Sequence, residues 1–214
     1  MTSRPSELVR PEPRLYLVTP VTADVQVLKH DLLAAFASAD IAAVLLRLPD
    51  GDDRALINLV KAVAPTAQKA DAALILDGHA QIVARSGADG AHLAGLAAFE
   101  AAASSLKPAR IAGIGGLETR HDAMAGAENG ADYVMFGDNA RPSLDAVIER
   151  VAWWSEVFEV PCVAYAASLE EVRPLAEAGA DFIAVGDAVF SDSRGVARAV
   201  ADVAGRLHLA EVAT

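Results

Sequence analysis

The sequence has a single cysteine, Cys162, and few aromatic residues, which make up 5% of its 214 residues. One cysteine excludes an intrachain disulfide and a cysteine-rich metal site. Because Cys162 lies inside the apolar segment PCVAYAA, we interpret it as a core residue rather than a nucleophile. The fold must therefore depend on noncovalent packing of its apolar residues, which form 53% of the chain.

Positive charge is also scarce. The chain has 18 Lys and Arg residues against 29 Asp and Glu, and its formal net charge is -11. This balance argues against nucleic acid or an anionic membrane surface as a main partner, because both attract basic proteins. No apolar run approaches the roughly 18 residues of a membrane span, and the opening segment MTSRPSELVRPEPR lacks the apolar stretch of a secretory signal. We therefore predict a cytoplasmic protein.

What the chain does contain is a regular alternation of short apolar runs and longer amphipathic segments. This is the pattern of strands that are buried on both faces and covered by helices. Eight such units without a linker predict a single (β/α)8 barrel over residues 14–214, after a flexible N-terminal segment of residues 1–13. A doubly wound open sheet is the alternative with the same local pattern. The predicted strands begin at Arg14, Ile41, Ala72, Gly90, Arg110, Ala131, Pro161 and Asp181.

Local signals place several helices. Apolar residues recur at helical spacing over 25–37, 55–70, 144–158 and 196–209. Ser168 and Glu171 have the spacing of a capping box, which predicts the start of the seventh helix. Gly179 is expected just after the end of the same helix.

One short phrase occurs four times, as SADIAAVLLR, SGADGAHLAG, NGADYVMFG and AGADFIAVG. Counted from the residue before Ala-Asp, the copies are 49, 43 and 49 residues apart, which is long enough for two βα units. They therefore introduce strands 2, 4, 6 and 8. A closed barrel explains this, since alternate strands fill the same interior layers. The four aspartates then lie at the N-terminal face, where we predict structural roles: Asp40, Asp89, Asp132 and Asp181.

Ligands of such barrels bind at the carboxyl ends of the strands, so functional residues should be sought there. After strand 8, Gly186, Asp187 and Ala188 could offer backbone N–H groups to a phosphate. His92 lies within strand 4 and is predicted to be an interior residue. Other polar residues at the strand ends are Thr19, Thr22, Arg47, Asp50, Asp77, His79, Asp138, Asn139, Arg141 and Tyr165.

Five segments taken in order resemble the thiamine phosphate synthase family, which includes the related thiazole tautomerases. They are RLYLVTP, ILDGHA, GADGAHL, GADYVMFG and AGADFIAVGDAVF, and the resemblance extends from about Arg14 to Phe190. It implies a small (β/α)8 barrel that joins hydroxymethylpyrimidine diphosphate to thiazole phosphate and releases diphosphate. The reaction would pass through a pyrimidine carbocation. Mg²⁺ and basic groups would stabilise the departing diphosphate, and no organic cofactor is implied.

The family's site residues carry over only in part. Of its Gln-x-Arg-x-Lys segment, Arg47 remains, and its first Mg²⁺-binding Asp falls on Gly78, beside Asp77. Its second Mg²⁺ segment reads Ala94-Gly95-Leu96-Ala97 here, and the loop after strand 6 reads Asp138-Asn139-Ala140-Arg141-Pro142. The resemblance therefore makes Arg47, Asp77 and His79 the catalytic candidates and Asp77 and Asp138 the candidate Mg²⁺ ligands. The candidate phosphate-binding residues are Arg141, Gly186, Asp187 and Ala188.

Three functions stay open. The first is a synthase with rearranged ligands, which predicts that Arg47, Asp77, Asp138 and Arg141 converge in one pocket. The second is a non-catalytic protein that binds thiazole phosphate or thiamine phosphate, with a regulatory role. The third is another phosphate-binding barrel enzyme that uses a histidine as acid and base, the candidates being His79, His92 and His121. In each case the partner is a small phosphorylated ligand, and the apolar helices are compatible with a homo-oligomer.

Overall fold

A computed structural model describes residues 11–138 and 143–208. Within them, eight parallel strands pair in chain order and β1 pairs with β8, which closes the barrel. The predicted (β/α)8 barrel is thereby confirmed and the open sheet excluded. The strands are β1 Arg14–Val18, β2 Ile41–Leu46, β3 Ala73–Asp77, β4 Gly90–Ala94, β5 Ile111–Gly115, β6 Tyr133–Phe136, β7 Cys162–Ala166 and β8 Phe182–Val185.

Nine helices surround the strands in the described part of the chain. They are α1 Val25–Phe36, α2 Asp53–Gln68, α3 Ala80–Ser86, α4 Leu96–Leu106, α5 Arg120–Glu128, α6 Leu144–Val157, α7 Val172–Glu177, α8 Asp187–Phe190 and α9 Val196–Leu207. None of these helices is long and apolar enough to cross a membrane. Of the predicted N-terminal segment, residues 1–10 lie outside the described residues.

Helix ends follow from local side chains. Asp24 caps α1 by accepting from the backbone N–H groups of Gln26 and Val27. The predicted capping box at Ser168 is wrong, because Glu171 accepts instead from the backbone N–H of Ala167, at 2.7 Å. Residues 169–171 form a 3₁₀ turn, and α7 begins after it. The prediction for the other end of this helix is confirmed, since Gly179 follows α7 with a φ of +96°.

The strands separate two apolar layers. Leu15 and Leu17 of β1 face outward into the large core between sheet and helices. The alternate residues Tyr16 and Val18 face into the barrel and belong to a smaller interior cluster. Cys162 is fully buried in the outer core, as predicted.

The repeated aspartates tie pairs of strands together at the N-terminal face. Asp89, before β4, accepts at 2.8 Å from the backbone N–H of Leu74 in β3. Asp132 accepts from the backbone N–H of Ala112, the second residue of β5, and Asp181 accepts from that of Cys162, the first residue of β7, each at 2.8 Å. These bonds satisfy strand-end N–H groups that would otherwise lack a ladder partner. The fourth copy differs, because Asp40 forms an ion pair with Arg14.

We therefore expect Asp181→Ala to lower the free energy of unfolding by about 1–3 kcal/mol, because the buried N–H of Cys162 would lose its acceptor. Asp40→Ala is the matched control. Its carboxylate is 75% exposed and pairs with an exposed arginine, so we expect a loss below about 1 kcal/mol. Urea unfolding measures both. Equal losses in the two variants would contradict a strand-tying role.

Candidate active site

The catalytic-face cavity lies at the carboxyl ends of the strands and has a volume of about 210 Å³. It brings together three of the four residues that the rearranged synthase requires, Arg47, Asp77 and Asp138. The fourth, Arg141, lies outside the described residues. The remaining lining residues are Val18, Leu45, His92, Ala94, Gly116, Met135 and Tyr165.

Arg47 and Asp77 form the more open, charged side of this cavity. The Arg47 Nε lies 3.6 Å from Asp77 Oδ2, and the two side chains are 33% and 39% exposed. The backbone N–H of Arg47 donates to the hydroxyl of Thr19, at 3.1 Å, and Thr19 is fully buried. This bond fixes the chain where β2 ends. The guanidinium, with its five N–H donors, lies beside Asp77 and lines the cavity, where it can contact an anion.

Asp138 occupies the more buried side. Its Oδ2 accepts from the backbone N–H of Gly116 at 2.9 Å and lies 3.4 Å from His92 Nε2. The side chains of Asp138 and His92 are 16% and 4% exposed. In the described part of the chain, Asp138 Oδ1 is the one buried side-chain oxygen or nitrogen without a hydrogen-bond partner. One oxygen of the carboxylate is thus hydrogen-bonded, and the other is buried without a hydrogen-bond partner.

A chain of hydrogen bonds runs from Asp138 into the barrel. His92 Nδ1 lies 3.0 Å from the hydroxyl of Tyr133, which lies 2.9 Å from the hydroxyl of Tyr16. Burial raises the pKa of both tyrosines, so both hydroxyls keep their protons. With a neutral imidazole, His92 Nε2–H donates to the carboxylate, Nδ1 accepts from Tyr133, and the Tyr133 oxygen accepts from Tyr16. The imidazole orientation is therefore set from both sides.

Two glycines of β5 make room for this chain. The rings of His92 and Tyr133 stack 5.7 Å apart across Gly113, which pairs with both of their strands. A Cβ on Gly113 would overlap the Tyr133 ring, and one on Gly115 would overlap Asp138 Oδ2 and His92 Nε2. The segment GIGG is therefore a packing feature of the barrel interior.

The other predicted residues are more scattered. His79 begins α3 with a left-handed φ of +50° and is not among the residues that line the catalytic-face cavity. Of the three histidines proposed as acid and base, His92 lines the cavity. Gly186 is buried at the end of β8, where a Cβ would lie 2.8 Å from the Tyr165 hydroxyl. The predicted phosphate-binding end of strand 8 therefore adjoins a residue of the cavity, whereas Asp187 is exposed.

Sequence reasoning missed Tyr16 and Tyr133 as parts of the site. The available signal was the pair Gly113 and Gly115, two residues apart in a buried strand. Alternate glycines in a strand mark a close approach by neighbouring groups.

The carboxylate oxygens in the cavity fit a Mg²⁺ site at Asp77. Mg²⁺ is usually held by one or two carboxylates together with substrate phosphates and waters. Asp77 is half-exposed on the open side, beside the arginine that could contact a phosphate. Asp138 offers a single unused oxygen in a corner next to His92. Among the described residues, no group of three His, Cys, Asp or Glu side chains could hold a metal ion without such outside ligands.

Fold and cavity together define a (β/α)8-barrel protein of the class that binds its ligand at the carboxyl ends of the strands. Solved structures share this fold. Thiamine phosphate pyrophosphorylase from Pyrococcus furiosus matches with a TM-score of 0.74 and 22% identity, over 92% of this chain and 96% of its own. The 3-hexulose-6-phosphate synthase from Salmonella typhimurium matches with a TM-score of 0.66 and 15% identity, over 91% of this chain and 100% of its own.

Sequence comparison defines the family. The thiamine monophosphate synthase family model matches residues 15–189. The thiamine-phosphate synthase of Rhodospirillum centenum is 40% identical over 196 residues, which are 88% of this chain and 95% of that protein. The thiamine-phosphate synthase of Hyphomonas neptunium is 34% identical over 203 residues, 89% of this chain and 92% of that protein. The chain belongs to the thiamine monophosphate synthase family, as the sequence motifs indicate.

We expect Gly113→Ala to lower the free energy of unfolding by about 1–3 kcal/mol, because the added methyl must displace the buried Tyr133 ring. Gly205→Ala is the control. Gly205 lies exposed in α9 with open space around it, so this change should stabilise the helix by about 0.5–1 kcal/mol. Urea unfolding curves separate the two cases. Stabilisation of both variants would show that the interior has room for a side chain on β5.

Proposed function

We propose that the chain catalyses the synthase reaction, in which hydroxymethylpyrimidine diphosphate and thiazole phosphate give thiamine phosphate and diphosphate. The observation that carries this proposal is the convergence of Arg47, Asp77 and Asp138 in one cavity on the catalytic face. These residues come from the ends of three different strands, and a barrel site is assembled in this way. Membership of the family supports the same reaction.

The reaction breaks the bond between the pyrimidine methylene carbon and the diphosphate oxygen, and the electron pair leaves with the diphosphate. Arg47 would contact this departing anion, since its guanidinium lies beside Asp77 at the open side of the cavity. Mg²⁺ would supply further positive charge to the diphosphate, and Asp77 would hold it. The thiazole nitrogen then forms the new C–N bond with its lone pair.

The apolar part of the cavity has a role in the same reaction. Leu45 and Met135 are 4% and 1% exposed and line the cavity. A carbocation reacts rapidly with water, so a dry wall protects it until the thiazole attacks. At the end of β8, Gly186, Asp187 and Ala188 would bind the phosphate of the thiazole, and Arg141 would join Arg47 in contacting the diphosphate. The position of Gly186 against Tyr165 supports this placement.

One alternative has its own support. Leu45 lines the cavity at the position where the family pattern has a glutamine. This replacement favours a protein that binds thiazole phosphate or thiamine phosphate without turnover. Two coarser proposals apply to either function. The biosynthetic family supports a cytoplasmic location, and the exposed Val27 and Leu33 of α1 support a homo-oligomer.

The synthase proposal is tested by incubating the protein with both substrates and Mg²⁺ and measuring thiamine phosphate. We expect turnover in the wild type and at least an approximately 100-fold lower kcat/KM in Arg47→Ala, because the departing diphosphate loses a preformed cation. Arg54→Ala, on the exposed side of α2, is the matched control and should retain wild-type activity.

Absence of thiamine phosphate, in a preparation that binds thiazole phosphate by calorimetry, would contradict the synthase and leave the binding protein. Turnover that is equal in wild type and Arg47→Ala would contradict the role given to Arg47.

A further inference from the structure

We propose that Asp77 makes the catalytic-face cavity selective for a diphosphate that carries a divalent cation, because its carboxylate repels metal-free anions from Arg47. This inference rests on the proposed function, in which Arg47 contacts the diphosphate and Asp77 holds Mg²⁺. It adds a dependence between the two ligands: the anion and the cation bind well together, and each binds poorly alone. Asp77 is therefore a specificity-determining residue.

The balance of charge in the cavity is the first observation. Arg47 is the one Arg or Lys among the described residues that line it, whereas two carboxylates line it, those of Asp77 and Asp138. With His92 neutral, one positive and two negative groups leave the described lining with an excess of negative charge. The whole chain is also acidic, with a net charge of -11. A multiply charged anion that enters without a cation is therefore repelled.

The ion pair between Arg47 and Asp77 is the second observation. Its Nε to Oδ2 distance of 3.6 Å is longer than a hydrogen bond, and the two side chains are 33% and 39% exposed. Exposed pairs of this kind contribute little to stability, so an incoming ligand can open the pair at low cost. The charge of the carboxylate remains, however. An anion on Arg47 would lie well inside the screening length of about 8 Å at physiological salt.

Access to the two carboxylates decides where this repulsion can be removed. Asp138 is 16% exposed, and its Oδ2 accepts from the backbone N–H of Gly116. Asp77 is 39% exposed and pairs only with Arg47 in the described part of the chain. A divalent cation can therefore neutralise Asp77. Since no three His, Cys, Asp or Glu side chains of the described residues could hold the ion, phosphate oxygens and waters must complete its ligand shell.

Each ligand thus supplies what the other lacks. The cation removes the charge that repels the diphosphate, and the diphosphate supplies the oxygens that the cation needs. Such coupling is reciprocal, so each ligand raises the affinity for the other by the same factor, usually about 5-fold to 150-fold. The proposed reaction needs this selection, because a metal-free diphosphate lacks part of the positive charge that stabilises its departure.

The test measures the binding of inorganic diphosphate by calorimetry, in metal-free buffer and in saturating Mg²⁺. Wild type should bind at least about 10-fold more tightly with Mg²⁺. Asp77→Asn keeps the side-chain shape and removes the charge. Without metal it should bind diphosphate at least about 10-fold more tightly than wild type, and with Mg²⁺ more weakly than wild type. Asp50→Asn, at an exposed position after β2 and outside the cavity lining, is the matched control and should behave as wild type.

Weaker binding by Asp77→Asn in both conditions would overturn the proposal, because Asp77 would then only position Arg47. Equal affinity of wild type with and without Mg²⁺ would overturn it whether or not the variant folds, and so would absence of diphosphate binding in both conditions. An equal metal-free gain in Asp50→Asn would also contradict it. The proposed function can fail separately. Absence of thiamine phosphate formation, together with the expected reversal at Asp77, would support the selectivity and contradict the synthase.

Discussion

The site depends on how little volume β5 takes inside the barrel. An eight-stranded barrel is only wide enough for its interior side chains to meet, so each strand's contribution limits those of its neighbours. Gly113 and Gly115 contribute no side chain. The Tyr133 ring occupies the space beside Gly113, and the Asp138 carboxylate and the His92 imidazole occupy the space beside Gly115. The absence of these two side chains therefore determines the geometry of the buried half of the cavity.

The same side chain, aspartate, behaves differently at the two ends of the barrel. At the N-terminal face, Asp89, Asp132 and Asp181 accept backbone N–H groups at the starts of strands, and their charge is used within the fold. At the catalytic face, Asp138 keeps one oxygen unused, and Asp77 shares its charge with a half-exposed arginine. The carboxylates at the two ends of the barrel therefore differ in the number of hydrogen-bond donors that the fold provides for them.

The sequence was sufficient for the fold because its signals are local and repeated. Apolar runs mark the strands, and the repeated phrase places every second one, so closure could be predicted before any contact was known. The strand-end rule also brought Arg47, Asp77 and Asp138 to one face. The hydrogen bond between the hydroxyls of Tyr16 and Tyr133 could not be predicted in this way. The two residues are 117 positions apart, and the sequence around each one indicates only a core residue. Which oxygen of Asp138 lacks a hydrogen-bond partner depends on side-chain packing, which periodicity does not specify.

The hydrogen bonds that these N-terminal-face aspartates accept also group the strands into pairs. Each one joins an odd-numbered strand to the even-numbered strand that follows it, so β3 and β4, β5 and β6, and β7 and β8 are fastened as pairs. Asp132 also accepts from the Lys107 ammonium at 2.6 Å, so its carboxylate spans the connection between α4 and β5. The barrel is therefore built from pairs of neighbouring strands that each carry their own fastening, an organisation suited to growth by duplication of strand pairs.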